Sequence, residues 1–259
     1  MEKFELVDSH CHFDFPVLRE RYPQLRAEAL AAGIQQIVVP GVTANSWSTL
    51  QSFCAADFML YPAFGLHPCF MADHQPRDLE ILEALLEHSD AVAVGEIGLD
   101  FFIPDADPAA QQQLFKAQLQ LAKQFQLPVL LHVRKAHDQV LAQLRRFQLA
   151  RGGIVHAFSG SAQQAEHYIG LGFKLGFGGA ISYDRARKLR RLVAELPLES
   201  MVLETDAPDM PTYGNQGNVN HSKHLVTISN ELFLLRKESK QSIATQIWQN
   251  SHRAFGICE

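Results

Sequence analysis

The sequence predicts an α/β fold, a (β/α)₈ barrel formed by a single domain over residues 1–259 with helices at its C-terminal end. Eight short apolar runs alternate with amphipathic segments along nearly the whole chain, a pattern typical of a parallel sheet with helical crossovers. Eight such units in 259 residues match the usual size of a closed barrel. The composition, 47% hydrophobic and 20% charged, is that of a globular domain. An open, doubly wound sheet is the alternative.

The elements follow from hydrophobic spacing and from residues that begin or end helices. The predicted strands cover residues 4–7, 36–41, 59–65, 91–95, 128–132, 153–156, 173–177 and 201–205. The predicted helices cover residues 18–32, 43–55, 77–88, 108–126, 135–147, 161–171 and 184–196, with two more from residue 221 onward. Pro108 suits the first turn of its helix, and Gly33 suits the end of another.

Composition and charge exclude several classes of protein. A formal net charge of -5 means that any contact with nucleic acid must be local. No apolar run approaches the roughly 20 residues of a membrane span, and the N-terminus has no secretory pattern. Cys11, Cys54, Cys69 and Cys258 show neither C-x-x-C spacing nor a disulfide framework. We therefore expect a cytoplasmic, monomeric protein without membrane attachment.

Polar residues follow the predicted strands at the point where each ends. In a barrel these ends line one mouth, where active sites lie. The polar residues at these ends are His10, His12, His67, Glu96, His132, Arg134, His156, Glu204 and Asp206. Because side chains alternate along a strand, His10 and His12 would point the same way. The same alternation would place Val94 and Glu96 on one face of their strand, and His132 and Arg134 on one face of theirs.

Taken one at a time, these residues have ordinary structural interpretations. A histidine after an apolar strand is commonly a hydrogen-bonded rim residue, Glu96 could form a salt bridge, and Asp206 could begin a turn. Together, however, several imidazoles and carboxylates near one axis would leave buried polar groups uncompensated without a cation. The set therefore predicts a metal centre.

The predicted metal ligands are His10, His12, Glu96, His132, His156 and Asp206. Nitrogen and carboxylate donors without thiolates favour Zn²⁺ or Mn²⁺, or Mg²⁺ at a wetter site. Six ligands exceed the three that one catalytic zinc takes from protein, so we predict two divalent ions that share Glu96. Such a pair would activate water for attack on an ester, with Asp206 as the general base and Glu96 as the second catalytic residue.

Six motifs, in order along the whole chain, resemble those of the TatD family of metal-dependent hydrolases. They are Asp8-Ser9-His10-Cys11-His12, Gly65-Leu66-His67-Pro68, the stretch from Gly95 to Asp100, the stretch from Pro128 to Ala136, His156-Ala157-Phe158-Ser159-Gly160 and Glu204-Thr205-Asp206-Ala207-Pro208. The resemblance implies an amidohydrolase-like TIM barrel and a divalent-metal DNase that trims single-stranded ends.

The resemblance also implies a role for each matching residue. The family's ligands to one ion fall on His10, His12 and Asp206, those to a second ion on His132 and His156, and the bridging carboxylate on Glu96. His67 and Arg134 match positions near the substrate, and a guanidinium suits a phosphate because its donors form a planar fork. In the loop over residues 213–222, Asn220 is retained, but the Arg and the Pro common in the family are absent. This departure bears on substrate identity more than on metal binding.

Three functions are compatible with these residues. The first is a phosphodiesterase acting on DNA or a small phosphate ester, with local support from Arg134 and Lys135 and from a basic cluster over residues 185–191 that could equally be a solvated helix face. Six aromatic residues could stack on bases or could equally pack at the rim of the barrel: Phe13, Phe70, Phe101, Phe102, Phe158 and Tyr213. The second is hydrolysis of an amide, lactone or carboxylic ester by the same activated water. The third is a non-enzymatic metal-binding or scaffold protein.

Overall fold

Eight parallel strands form a nearly closed barrel surrounded by helices, so the open-sheet alternative is wrong. The computed structural model describes residues 3–257. The strands are β1 Leu6–Asp8, β2 Ile34–Pro40, β3 Leu60–Phe64, β4 Ala93–Asp100, β5 Val129–Arg134, β6 Gly153–Val155, β7 Phe173–Phe177 and β8 Met201–Leu203. Each pairs with the next in chain order from β1 to β8. Parallel strands require crossovers, and the helices supply them.

The helices alternate with the strands as predicted, with small differences at their ends. They are α1 Pro16–Arg19, α2 Tyr22–Ala32, α3 Trp47–Ala55, α4 Asp78–His88, α5 Pro108–Gln124, α6 His137–Phe147, α7 Ala162–Gly170, α8 Arg187–Glu195, α9 Leu225–Leu235 and α10 Lys240–Phe255. The single helix expected over 18–32 is two, α1 and α2, because Pro23 in the first turn of α2 favours a new helix start. Gly33 ends α2 with φ 104°, where a Cβ would collide with the Phe4 carbonyl.

The seam between β1 and β8 is bridged just beyond the strand ends. The Ser9 N–H donates to the Leu203 carbonyl at 3.0 Å, and the His12 N–H donates to the Ala207 carbonyl at 2.8 Å. The Asp206 N–H donates back to the His10 carbonyl at 2.9 Å. The backbone that carries the first and last predicted ligands is therefore held together directly.

Apolar side chains fill both the barrel and the layer between barrel and helices. The interior cluster consists of Val38, Ala63, Ala93, Leu130, Ile154 and Val202, with Ala254 and Phe255 of α10 packed against it. Asn250 of α10 donates to the carbonyls of Leu198 and Met201 at the start of β8. Helix α10 therefore covers the end of the barrel opposite the polar mouth.

None of the helices within residues 3–257 has the length and apolar character needed to cross a membrane. Cys11, Cys54 and Cys69 are free thiols in the described part of the chain, and Cys258 lies outside the described residues.

Candidate metal centre

Four predicted ligands meet around one small space at the carboxyl-terminal mouth. The His10 Nε2 atom lies 3.2 Å from His12 Nε2, 3.2 Å from Glu96 Oε2 and 3.5 Å from Asp206 Oδ1. The His12 Nε2 atom lies 3.6 Å from Glu96 Oε2 and 3.8 Å from Asp206 Oδ1. Ligands about 2.1 Å from a tetrahedral ion are about 3.4 Å apart. The spacing of these four atoms therefore fits one divalent ion.

A second group of imidazoles surrounds the other oxygen of the Glu96 carboxylate. Glu96 Oε1 lies 3.1 Å from His132 Nδ1, 3.2 Å from His67 Nε2 and 3.7 Å from His156 Nε2. The two oxygens of one buried carboxylate thus face different sets of nitrogen atoms. This arrangement suits a bridging ligand between two ions, the role predicted for Glu96.

His67, predicted to contact the substrate, lies among the candidate metal ligands, with its Nε2 atom 3.2 Å from Glu96 Oε1. Its ligand atom, the Cys69 Sγ atom and a ring nitrogen of His132 lie within 4.8 Å of one another. The ligand atoms of His10, Glu96 and His156 form another such group. The structure therefore brings all six predicted ligands together and adds His67 as a possible seventh donor.

Glu96 reaches the barrel interior through an irregularity in β4. The pairing register of β4 with β5 shifts between Val94 and Ile97. As a result Val94 packs in the layer facing the helices, whereas Ala93 faces the interior. The prediction that Val94 and Glu96 share a strand face is therefore wrong, because strict alternation does not hold across a register shift.

Carboxylates and a carbonyl behind the candidate ligands fix the orientation of the imidazoles. Asp100 Oδ2 lies 2.9 Å from His132 Nε2, and Glu204 Oε1 lies 3.1 Å from His156 Nδ1. The His12 Nδ1–H donates to the Pro40 carbonyl at 3.2 Å, which leaves its Nε2 lone pair free. Such partners orient metal-bound histidines in many proteins.

Asp8 is a further buried carboxylate of the site, although it touches none of the candidate ligands' rings. It accepts hydrogen bonds from Thr205 N–H at 2.9 Å, Thr205 Oγ1 at 2.7 Å and Ser222 Oγ at 2.7 Å. Burial raises the pKa of Asp8 to about 7. Asp8 thereby ties β1 to the segment that carries Asp206. The prediction missed these roles of Asp8, Asp100 and Glu204, although each carboxylate stands at a strand end in the sequence.

Burial and neighbouring charges set the protonation states of the candidate ligands, and they act differently on the four histidines. Burial places the pKa of His10 well below its usual value and lowers that of His12 to about 4, so both rings are neutral at pH 7. Burial opposes ionisation of Glu96, but the nearby imidazoles, His67 foremost, outweigh it and hold its pKa well below normal. Neutral imidazole and ionised carboxylate are the ligand forms.

Burial opposes protonation of His132 and His156, but the surrounding carboxylates outweigh it, so the pKa of His132 is raised and that of His156 is raised to about 10. His156 must therefore lose a proton before it can bind an ion. Burial, together with the charge of Glu96, raises the pKa of Asp206 to about 7, which suits a proton acceptor near neutral pH.

Arg134 stands at the edge of the centre and is exposed. Its guanidinium carbon lies 3.9 Å from the ring centroid of Phe102, so the aromatic ring supports the charged plane. A cavity of about 410 Å³ extends from His132, His156 and Asp206 past Arg134. Its far wall is mainly apolar and includes Val133, Phe158, Phe177, Leu189 and Met210. This cavity provides space for a substrate beside the predicted ligands.

The loop over residues 213–222 lies against the candidate centre through its last residues. Asn220 is fully buried, and its amide donates to the carbonyls of Thr205 at 2.9 Å and Asp209 at 2.8 Å. Tyr213 is exposed and packs edge-on against Tyr183. Asn220 therefore holds the backbone around Asp206 in place.

The other residues considered for nucleic-acid contact separate into two groups. Arg190 pairs with Glu231 at 2.8 Å and Arg191 with Glu195 at 2.9 Å, so that part of the basic cluster is engaged in ion pairs. Lys188 lines a groove next to Arg134 instead. Among the aromatics, Phe13 and Phe158 are buried, whereas Phe102 and Tyr213 are exposed.

Comparison with known proteins identifies the family of the chain. The model of the family of TatD related DNases matches residues 7–256. The uncharacterized metal-dependent hydrolase YjjV of Escherichia coli K12 is 43% identical, with 97% of this chain and 98% of that protein covered. The 3'-5' ssDNA/RNA exonuclease TatD of Citrobacter koseri is 30% identical over 88% of this chain and 90% of that protein.

The crystal structure of Escherichia coli YjjV, described as a TatD homologue, superposes with a TM-score of 0.96 at 42% identity, with 98% of both chains covered. At 43% identity to YjjV and 30% identity to TatD of Citrobacter koseri, the sequence is more similar to the YjjV-type branch of the family than to TatD itself. With the family model spanning nearly every described residue, the chain belongs to the TatD family of metal-dependent hydrolases.

Proposed function

We propose that this protein cleaves phosphodiester bonds at DNA ends, using two divalent ions, Zn²⁺, Mn²⁺ or Mg²⁺, and a water that they activate. The observation that carries the proposal is the convergence of four donor groups. The Nε2 atoms of His10 and His12 lie 3.2 Å apart, and each lies 3.2–3.8 Å from a carboxylate oxygen of Glu96 and of Asp206. The exposed residue Arg134 lines the same cavity as His132, His156 and Asp206. The name of the Citrobacter koseri relative, a single-strand exonuclease, points to the same class of bond.

The side chains divide the work of such a reaction. His10, His12 and Asp206 would hold one ion, His132 and His156 the other, with Glu96 between them. When bound, two ions supply a nucleophilic hydroxide at neutral pH and stabilise the charge that develops on an ester oxygen. Asp206, whose Oδ1 lies 3.5 Å from His10 Nε2 and 3.8 Å from His12 Nε2, would accept the proton of the attacking water.

The remaining residues of the site bind the substrate or orient the metal ligands. The Arg134 guanidinium offers two parallel donors to a phosphate, and Phe102 holds its plane at 3.9 Å. Asp100 and Glu204 keep His132 and His156 turned toward the centre. The apolar wall of the 410 Å³ cavity would take the uncharged part of the substrate.

The experiment is a substrate screen with a defined metal content. The protein is purified, stripped, reloaded with Zn²⁺, Mn²⁺ or Mg²⁺, and incubated with ssDNA, dsDNA, RNA, small phosphodiesters and simple amides, with and without a chelator. We expect metal-dependent release of nucleotides from ssDNA, and none with Glu96→Ala. Intact oligonucleotide with every metal would overturn the proposal. Loss of the cleavage in Arg134→Ala, with metal content unchanged, would support the role of the guanidinium.

A second candidate keeps the metal centre but changes the bond to an amide, lactone or carboxylic ester. Two observations favour it: the loop over residues 213–222 lacks the arginine expected in the family, and the cavity beside the centre is mainly apolar. Turnover of an amide or ester, with phosphodiesters untouched in the same screen, would establish it.

We also propose that the protein works as a monomer in the cytoplasm, without membrane attachment. The free thiols of Cys11, Cys54 and Cys69 suit a reducing compartment. Light scattering of the purified protein tests the monomer, and fractionation of cells tests the compartment.

A further inference from the structure

A groove next to the candidate centre has a strongly cationic lining. It has a volume of about 530 Å³ and is lined by Phe102, Arg134, Lys135, His137, Ser159, Gly160, Ser161, Gln164 and Lys188. Three of these residues are cations and none is a carboxylate. In a chain of formal net charge -5 this is a local excess of positive charge.

The groove is continuous with the cavity that contains the predicted ligands. Arg134 and Ser159 line both spaces. Arg134 follows His132 by two residues on β5, a distance of about 7 Å along a strand. A chain molecule whose reacting phosphate lies at His132 and Asp206 would therefore extend past Arg134 into the groove.

The three cationic groups are free to take an external anion. Within residues 3–257, the side chains of Arg134, Lys135 and Lys188 form no ion pair within 4.0 Å and no hydrogen bond with another side chain or carbonyl. All three are exposed. By contrast, Arg190 and Arg191 on the same helix as Lys188 are paired with carboxylates. Lys188 thus stands apart from the solvated charges of α8.

From these observations we infer that Lys135 and Lys188 form a subsite for the phosphate next to the one that is cleaved. The inference deepens the proposed function and rests on it. It assigns the substrate class as an oligonucleotide, because a mononucleotide or an isolated diester has no second phosphate to place there. Phosphate contacts of this kind position a strand without reading its sequence, so cleavage would show little base preference at this position.

The test uses the double variant Lys135→Ala/Lys188→Ala and two substrates. The matched control, Lys237→Ala/Lys240→Ala, removes two exposed lysines at and just before the start of α10, at the opposite end of the barrel. The substrates are a five-nucleotide oligothymidylate and bis(p-nitrophenyl) phosphate, each assayed with the metal-loaded enzyme. We expect kcat/KM for the oligonucleotide to fall about 10- to 100-fold in the groove variant. The slope of the logarithm of oligonucleotide affinity against the logarithm of salt concentration should also become shallower, by about 0.7 for each phosphate contact that is lost.

The small diester separates this subsite from the catalytic centre. Its kcat/KM should stay within about twofold of wild type in both double variants, because it carries only the reacting phosphate. Unchanged oligonucleotide kinetics in the groove variant would overturn the inference. Equal losses for both substrates, or an equal loss in the control, would also overturn it.

Binding distinguishes a failure of this inference from a failure of the proposed function. Fluorescence anisotropy measures the affinity for a labelled oligonucleotide. Both the wild-type groove and the groove variant are tested in proteins that also carry Glu96→Ala, so that the oligonucleotide is bound but not cleaved. If the wild type cleaves neither substrate, the proposed function fails, whereas weaker oligonucleotide binding in the groove variant still supports the subsite. Equal binding in the presence and absence of the two lysines would refute it.

Discussion

Glu204 forms a hydrogen bond with the predicted ligand His156. Replacing Glu204 by glutamine tests how far metal binding depends on this bond. Glu204 Oε1 lies 3.1 Å from His156 Nδ1 and 2.6 Å from the Ala157 N–H. Both are donors, so the carboxylate fixes the tautomer that turns His156 Nε2 toward Glu96 and Asp206. Glutamine keeps the shape but removes the charge that strengthens these bonds.

The magnitude follows from the place of Glu204 in the site. Loss of a partner behind a metal-bound histidine costs about 10- to 100-fold in metal affinity or activity, or about 1.4–2.7 kcal/mol. The second oxygen, Oε2, is buried without a hydrogen-bond partner among the described residues, and Gly176 leaves it room that a Cβ would fill. An amide NH₂ placed there would be an unsatisfied donor, which puts the expected loss near the upper end.

The assay is metal affinity, measured by competition with a chromophoric chelator, with kcat/KM measured in parallel. Glu195→Gln is the matched control, because Glu195 forms only an exposed i,i+4 pair with Arg191 and should change neither quantity. Thermal unfolding of the metal-free proteins establishes that Glu204→Gln folds. Metal affinity and kcat/KM both within twofold of wild type would refute the reasoning that Glu204 positions His156.

Three further predictions concern stability, pH and metal. Asn220→Ala should lower the free energy of unfolding by about 2–4 kcal/mol in urea titrations, because the buried amide donates to the Thr205 and Asp209 carbonyls. The control Asn218→Ala, at an exposed residue, should change this free energy by less than about 0.5 kcal/mol. Equal effects of the two substitutions would contradict this account. Burial, followed by the nearby charge of His224, lowers the pKa of His221 to about 4. The pKa of His221 is lower in the folded protein than in the unfolded chain, so the unfolded chain binds the proton more tightly. The free energy of unfolding is therefore highest above about pH 6.5 and decreases as the pH falls toward 4. Between pH 7 and pH 5, the free energy of unfolding of the wild type should therefore fall by about 1–2 kcal/mol more than that of His221→Gln. Parallel losses in the two proteins would contradict this account. Chelation should abolish hydrolysis and readdition of the ion should restore it, whereas full activity after exhaustive chelation would contradict a metal-dependent reaction.

Much of the barrel could be predicted because each strand is a short apolar run and each run ends in a polar residue. Strand β7 has the predicted bounds, Phe173–Phe177, since both of its faces are buried and its ends are marked by Gly172 and Gly178. The boundary between α1 and α2 could not be read in the same way. Leu18 and Leu25 are buried on both sides of the break, so hydrophobic spacing alone does not reveal it.

The predicted ligands come together because they lie at the same ends of parallel strands, which the chain order specifies. Their partners are less accessible to prediction. Nothing in the sequence distinguishes Glu204, which supports a ligand, from Asp206, which faces the centre two residues later, because both are carboxylates beyond β8. The face on which Glu96 lies depends on the register shift in β4, a property of pairing with β5 and not of the local sequence.

The division between what strands and loops contribute also explains how a metal centre of this kind could accept different substrates. Glu96 and His132 lie within β4 and β5, and His10 lies just beyond β1, where the backbone is held by pairing with neighbouring strands. The residues that would contact the substrate beyond its reacting phosphate, such as Phe102, Lys135 and Lys188, belong to segments between the strands and helices or to a helix surface. Loops tolerate change better than paired strands. Substitutions there can therefore alter which ester or amide is bound without disturbing the metal ligands. Under the proposed function, we expect the groove, rather than the metal ligands, to distinguish an oligonucleotide from a small substrate.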